Sequence, residues 1–331
     1  MERLKIGITQ GNTNGVGYEV ILKTFEDPTT LELCTPVIYG SPKVATYHRK
    51  AIGATTNFYT IQHAEEAQQE HLNVLECITE EVKIDLGQPT DEAQQAADLS
   101  RAAAEKDLKE GKIDALVYAP GDTLPANDGL TLLLGENMCV AVATNRQPLS
   151  DVARAITAEN VTAKIKAFDS CLKRDFGLTR PRIAVLQLNP EAGKEEAEAI
   201  APSLQNAEAE RISAFGPFSS DQFFGGTDYR HYDGILAMHY EQGLTPMKML
   251  CGYNIYLQAG CETVATAPLQ DAQFSIAGQG VADITPFCNA LYAAIDVCRS
   301  RVSYDEARQD PLPKLFHDKR EDNRRPAANP E

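Results

Sequence analysis

Short runs rich in aliphatic and β-branched residues alternate along this chain with longer stretches patterned for helices, and that alternation constrains the fold more than any other feature. "LKIGIT" (4–9), "PVIYG" (36–40), "IDALVYA" (113–119), "CVAVAT" (139–144), "RIAVLQL" (182–188) and "GILAM" (234–238) read as strands. Between them, "TDEAQQAADLSRAAAEKDLKEGK" opens with Thr90 and Glu92, spaces Ala96, Leu99 and Ala103 at helical intervals, and stops at Gly111. Residues 160–178 read as a second helix, capped by Asn160 and stopped near Gly177. Residues 194–210 read as a helix with a solvated acidic face, and a final apolar helix is expected from about Thr285 to Cys298. Strands alternating with helices predict an α/β fold, a mostly parallel sheet covered by helices. At 331 residues, 43% hydrophobic, the chain is long enough for two subdomains or one extended α/β unit. After Tyr304 the sequence is charged and Pro-rich, so 304–331 is expected to be a disordered tail.

Charge and cysteine usage narrow the function. Thirty-one Lys and Arg stand against 47 Asp and Glu, a formal net charge of -16, and such a field opposes nucleic acid and anionic membrane. The opening "MERLKIGITQG" does not read as a secretory signal, and no apolar run reaches transmembrane length. The eight cysteines lack C-x-x-C spacing and several sit in apolar runs; they read as reduced core thiols, which favours the cytoplasm.

Two stretches carry candidate chemistry. "AMHYEQGLTPMK" (237–248) follows an apolar strand and sets His239, Tyr240, Glu241 and Lys248 around a turn at Gly243, where α/β enzymes keep active-site loops. "TQGNTNGVGYEV" brings Gly11, Gly15 and Gly17 to the start of a helix. These glycines either cradle an anion or only pack helix against strand, and the spacing is not the dinucleotide fingerprint G-x-G-x-x-G. Ser219 and Ser220 adjoin Asp221 without a nucleophile elbow, and there is no P-loop. Of six histidines only His239 falls on a predicted cleft loop, where a packed, hydrogen-bonded imidazole is the simpler reading.

A wider pattern joins these stretches. "KIGITQGNTNGVGYEVILK", "LKEGKIDALVYAP", "QPLSDVARAIT", "LKRDFGLTRPRIAVLQLNPEAG", "FGPFSSDQFF", "AMHYEQGLTPMK" and "SIAGQGVAD", in this order, resemble the 4-hydroxythreonine-4-phosphate dehydrogenase family of vitamin B6 biosynthesis, over residues 4 to 303. The resemblance implies an α/β/α fold akin to isocitrate and isopropylmalate dehydrogenases. It implies a cleft between two subdomains, about 1–140 with 260–303, and 141–259. It also implies a homodimer whose active sites borrow residues from both chains. Family members use a divalent metal on three histidines, and NAD, to oxidise a phosphorylated hydroxy-amino acid whose product then decarboxylates.

The chain departs from that pattern where the chemistry lies. In place of the three metal histidines stand Arg146 in "TNRQPL", Glu191 in "LNPEAG" and Tyr240 in "MHYEQG", with His239 displaced by one position. Thr123 replaces a Lys, the substrate loop beyond it is shortened, Asn12 replaces an Asp, and Ala265, Leu269 and Gln270 replace an Arg, Asp and His on the nucleotide side. Lys248, Asn254 and Asp221 match family substrate positions, and Pro190, Gly193 and Gly243 keep the turns.

A metal-assisted oxidation needs a Lewis acid, so the expectation is a noncatalytic or repurposed member with no NAD, no metal and no catalytic residue assigned. The expected remnant is a site for a small phosphorylated ligand around Lys248. The alternative is an active NAD-dependent dehydrogenase with altered ligands. A Mg²⁺ site built from Glu191, Glu241 and Asp221 is disfavoured by Arg146. Arg146 is instead expected to pair with Glu191 or Glu241, and the loop carrying Tyr240 and Glu241 is expected, by the family's pattern, to come from the partner chain.

Overall fold

The computed structural model describes residues 3–310 except 123, 126–128 and 145. In chain order its strands are β1 (Lys5–Thr9), β2 (Thr35–Gly40), β3 (Phe58–Ile61), β4 (Leu72–Glu76), β5 (Ala115–Val117), β6 (Leu130–Gly135), β7 (Met138–Val142), β8 (Arg182–Leu186), β9 (Ser213–Phe218), β10 (Gly234–Ala237), β11 (Ile255–Ala259) and β12 (Val264–Pro268). The helices are α1 (Gly17–Thr24), α2 (Pro28–Leu33), α3 (Pro42–Ile52), α4 (Asp91–Lys109), α5 (Leu149–Ala155), α6 (Ala158–Arg174), α7 (Ala201–Ala209), α8 (Ser220–Gly225), α9 (Tyr240–Leu250) and α10 (Thr285–Gln309).

All these strands form one sheet, in the order β3-β4-β2-β1-β5-β12-β11-β6-β7-β10-β8-β9. From β3 to β12 neighbours are parallel, and so are those from β7 to β9. The three joins between these halves, β12–β11, β11–β6 and β6–β7, are antiparallel. Three reversals leave the two parallel halves running in opposite directions. Their carboxyl ends, where α/β proteins place ligands, therefore open on opposite edges of the sheet. Central strands such as β2 and β12 are buried at every position, as strands covered on both faces must be, while the edge strands β3 and β9 are half exposed.

Helix ends follow the local chemistry. Thr90 caps α4, its side chain accepting from the Ala93 amide at 3.3 Å. The predicted cap of the 160–178 helix is three residues off: α6 starts at Ala158, and Thr157 accepts from the Asn160 amide at 3.2 Å. The last helix runs to Gln309, so residues 304–309 are helical rather than tail, and 311–331 lie outside the described residues.

One buried ion pair fastens the join between the halves. Arg301 on α10 meets Asp175, just past α6, through Nε at 2.7 Å and Nη2 at 2.9 Å. Its Nη1 donates to the Cys261 and Glu262 carbonyls, at 3.0 and 2.8 Å, in the turn between β11 and β12. A fully buried guanidinium is tolerable only with such complete pairing. Arg301→Ala, which strands the Asp175 carboxylate, is expected to cost about 3–5 kcal/mol in chemical denaturation; a loss under about 1 kcal/mol would contradict this assignment.

At the carboxyl edge of the first half, the Thr9 hydroxyl donates to Asp122 at 2.5 Å and accepts from the Ala119 amide at 2.8 Å, fastening the end of β1 to the chain beyond β5. Burial pushes the Asp122 carboxyl up to about 6; Thr9 and Arg101 pull it down, and Asp98 and Glu105 add to the rise. Because this folded-state value lies above the ordinary 3.8, the group's contribution is fully present below that value and is lost as pH rises through about 6. Asp122→Asn should therefore stabilise the protein at pH 7 by roughly 1–3 kcal/mol and leave it little changed near pH 4. Thermal melts across that range check it, and equal shifts at both ends would refute the linkage.

Candidate functional site

β10 lies between β7 and β8, so the segments leaving these three strands meet at the carboxyl edge of the second half. Polar side chains hold them together. The Thr144 hydroxyl, beyond β7, donates to the Met238 carbonyl at 2.8 Å. Gln242 accepts from the Met238 amide at 2.7 Å and donates to the Gln187 carbonyl at 2.6 Å and the Ser220 hydroxyl at 2.7 Å, joining β10, β8 and α8 through one amide. The sequence reading assigned Gln242 no role; its only signal there is a polar residue flanked by the replaced positions.

The stretch expected as a loop around Gly243 is mostly helix. Residues from Tyr240 onward form α9, and Gly243 is buried inside it, where a Cβ would sit 2.9 Å from Val140 Cγ1 and 3.4 Å from Ala237 Cβ. The glycine is there for close approach of helix to sheet, not for a turn.

Arg146 reaches Tyr240 within the same chain, so the two residues need no partner subunit to meet. Its Nη2 donates to the Tyr240 hydroxyl at 2.5 Å and to the Tyr256 hydroxyl, and the two phenols are hydrogen-bonded to each other. The guanidinium carbon stands 4.5 Å from the Tyr240 ring centre and 5.5 Å from that of Tyr256, within cation–π range. Burial works against the Arg146 charge, but the phenol contacts outweigh it and hold the group above its usual range. Tyr256, on β11, is pushed upward first by burial and then by Tyr240, so it stays a neutral phenol.

The expected pairing of Arg146 with Glu191 or Glu241 is not found. No carboxylate among the described residues lies within 4.0 Å of its nitrogens. Glu191 is exposed on the turn after β8, and the donors of that turn are taken by another carboxylate, Glu196. Glu196 accepts from the Leu188 and Asn189 amides at 2.9 Å each and from the Gly193 amide at 2.7 Å. Burial pulls its carboxyl up, but these donors prevail and hold it below the ordinary range. Glu241 is exposed on the first turn of α9. His239 is half-buried ahead of that helix, its Nδ1 sealed with no partner, and burial lowers its pKa while Glu241 raises it. The packed, hydrogen-bonded imidazole expected there is therefore only partly found. Arg146, Gln147, Leu149, His239, Tyr240 and Glu241 line a cleft of about 250 Å³.

The other assigned positions are dispersed. Lys248 is exposed on the last turn of α9 with no ion pair among the described residues. The Asn254 side-chain oxygen is buried without a partner, while its main-chain carbonyl accepts from the Leu269 amide at 2.9 Å. Asp221 is exposed on the first turn of α8, bonded by the Ser219 hydroxyl, which with the Gln222 amide holds its carboxyl low. No hydrogen bond or ion pair joins Lys248, Asn254 and Asp221 to one another.

Neither implied group finds its donors. Among the described residues no three of His, Cys, Asp and Glu gather as a metal site, and a guanidinium stands over the Tyr240 ring. The set does not fit a divalent cation. On the side where the resemblance expects the nucleotide, Ala265 is buried in β12, and the Gln270 side-chain nitrogen donates to Gln273 Oε1 and the Asp283 carbonyl at 3.2 and 3.0 Å, while its oxygen is buried without a partner. Thr123 lies outside the described residues. The glycine loop takes the packing role: the Val16 amide donates to the Ala272 carbonyl at 2.9 Å, a Cβ on Gly15 would meet that oxygen at 2.7 Å, and one on Gly17 would meet the Gln10 carbonyl at 2.5 Å. The Asn12 side chain closes its own turn, accepting from the Asn14 amide at 3.0 Å.

Comparison with known proteins agrees with the architecture. The family model for pyridoxal phosphate biosynthetic protein PdxA matches residues 32–128 and 121–294. A 4-hydroxythreonine-4-phosphate dehydrogenase from Bacteroides thetaiotaomicron is 42% identical over 349 residues, covering 97% of this chain and 96% of the relative. That span exceeds the 331 residues of this chain, so the relative carries positions that are absent here. One from Prosthecochloris aestuarii is 34% identical over 89% of this chain and 97% of its own. Among solved structures, a 4-hydroxythreonine-4-phosphate dehydrogenase from Burkholderia phymatum superposes with a TM-score of 0.72 at 25% identity, over 90% of this chain and 99% of that one. The Klebsiella pneumoniae enzyme of the same name matches in fold with a TM-score of 0.75 at 23% identity, over 90% and 98% of the two chains. With a family model spanning most of its length and relatives aligned nearly end to end, this chain belongs to the PdxA family.

Proposed function

We propose that this chain keeps the PdxA fold without the metal-dependent, NAD-linked oxidation for which its relatives are named, and that its old reaction cleft is a binding site. The observation that carries this is the Arg146 guanidinium seated between Tyr240 and Tyr256, where the family pattern has imidazoles. A divalent ion about 4 Å from a guanidinium would be repelled by some 8 kcal/mol, twice the unit-charge figure of about 4 kcal/mol at an effective dielectric near 20. Tyr256 does not offset that as a phenolate, because burial keeps it protonated. The nucleotide side supports the same reading, since Ala265 and Leu269 bring no donor for a ribose or phosphate.

The second reading, an active dehydrogenase of a phosphorylated hydroxy-amino acid, is favoured by the name of a relative 42% identical along nearly the whole chain. The two readings separate in one experiment. Purified protein, supplied in turn with Mg²⁺, Mn²⁺ and Zn²⁺, is expected to give no NADH from 4-phosphohydroxy-threonine and to bind NAD with no micromolar affinity in calorimetry. Metal-dependent NADH formation, or micromolar NAD binding, would reverse the assignment. By the family's pattern we also propose a homodimer, an association that rests on surface burial rather than on catalytic groups; light scattering at micromolar concentration should give twice the 36.2 kDa chain mass, and a monomeric mass would count against it.

A further inference from the structure

The cleft beside Arg146 holds more hydrogen-bond donors than the chain uses. Arg146 carries five N–H donors, and only its Nη2 has partners; Nε and Nη1 have none among the described residues. The two phenols add another. Both oxygens accept from Arg146, and the single bond between them uses one hydroxyl proton, so the second has no acceptor. Phenols are neutral, so this arginine keeps its full charge in a chain whose acids outnumber its bases 47 to 31. Arg146 is itself exposed, whereas the buried guanidinium of Arg301 is neutralised by Asp175. Arg146 and, of the two phenols, Tyr240 line a cleft of about 250 Å³, below the usual range for drug-sized ligands, so its occupant has few heavy atoms. Two further features of the lining bear on charge. The sealed Nδ1 of His239 has no partner, and the Glu241 carboxylate on the rim repels a doubly charged guest.

Resting on the reading of the cleft as a binding site, we propose that it takes a small monocarboxylate, with the carboxylate on the Arg146 guanidinium and the unspent tyrosine hydroxyl. Planar two-point recognition of a carboxylate by arginine supplies the specificity. Glu241 explains why a single negative charge is preferred over a phosphate dianion.

The test uses the full chain, treated with chelator and without NAD, so that its outcome is independent of turnover. Ligand-observed NMR titrations with acetate, lactate and inorganic phosphate are expected to give saturable binding of both carboxylates, with phosphate weaker than either. Arg146→Met should weaken lactate by about tenfold or more, the size of a lost charge-assisted contact. Tyr256→Phe, which removes one hydroxyl and preserves the ring, should weaken it severalfold and serves if the arginine variant does not fold. Carboxylate signals that do not saturate, or that are unchanged in both variants, would overturn the proposal, as would phosphate binding in preference to lactate. Should metal-dependent NADH formation be found alongside saturable, Arg146-dependent lactate binding, the noncatalytic reading fails and the carboxylate site stands.

Discussion

The architecture depends on how a sheet that reverses direction at its middle is held together. Two parallel halves running in opposite senses share only the narrow antiparallel join of β11 and β6, and backbone ladders alone leave the helices on either side unconnected. Arg301 supplies that connection. By binding Asp175 beyond α6 and two carbonyls in the turn between β11 and β12, it ties a helix of each half to the strands that separate them. The edge carrying Arg146, Tyr240 and Tyr256 inherits its geometry from this join, because Tyr256 lies on β11 while the other two residues follow β7 and β10.

Buried charges in the scaffold follow one rule. Glu19, fully buried on α1, accepts from the Gly278 and Ala282 amides at 3.1 and 2.9 Å and so fastens the "AGQGVAD" segment against the first half. Glu196 does the same for the turn after β8. Each exchanges the cost of leaving water for charge-assisted bonds to backbone groups that themselves need partners. Arg146, which is exposed, lies outside the rule. It rests on phenols, which donate and accept but do not neutralise, and this difference between scaffold charges and the cleft charge sets the cleft apart.

Much of this was legible in the sequence, and the gaps have physical causes. The six runs read as strands are β1, β2, β5, β7, β8 and β10, all in the parallel halves and all rich in aliphatic residues. The strands that escaped include the half-exposed edges β3 and β9, where "FYTI" and "SAFGPF" face solvent and lose the apolar signature, and the antiparallel joiners β6 and β11. Gly243 was misread because glycine marks close approach as readily as a turn, and only Val140 across from it decides which. The cleft was half legible. Arg146, Glu191 and Tyr240 stand out in the sequence, but the partner of Arg146 does not, because Tyr256 is 110 residues away and on a strand that carries no pattern. Charge complementarity pointed to a carboxylate; proximity across the sheet placed a phenol.

Why the fold tolerates different side chains in the cleft follows from what holds the cleft's backbone. Where loops are gathered by a metal, ligand binding is part of folding, and loss of the ligands loosens the structure. Here the three segments at the carboxyl edge are gathered by groups that would never touch a metal: Thr144 on the Met238 carbonyl, Gln242 across β10, β8 and α8, and Glu196 inside the turn. Most of these bonds run between side chain and backbone, so they fix where positions 146, 191 and 240 lie whatever residue occupies them. A different side chain there changes what the cleft can bind and leaves the strand ends in place. A tyrosine at 240 and an arginine at 146 meet because the backbone already brings those positions together, and the donors they present are then free to be matched to a new guest.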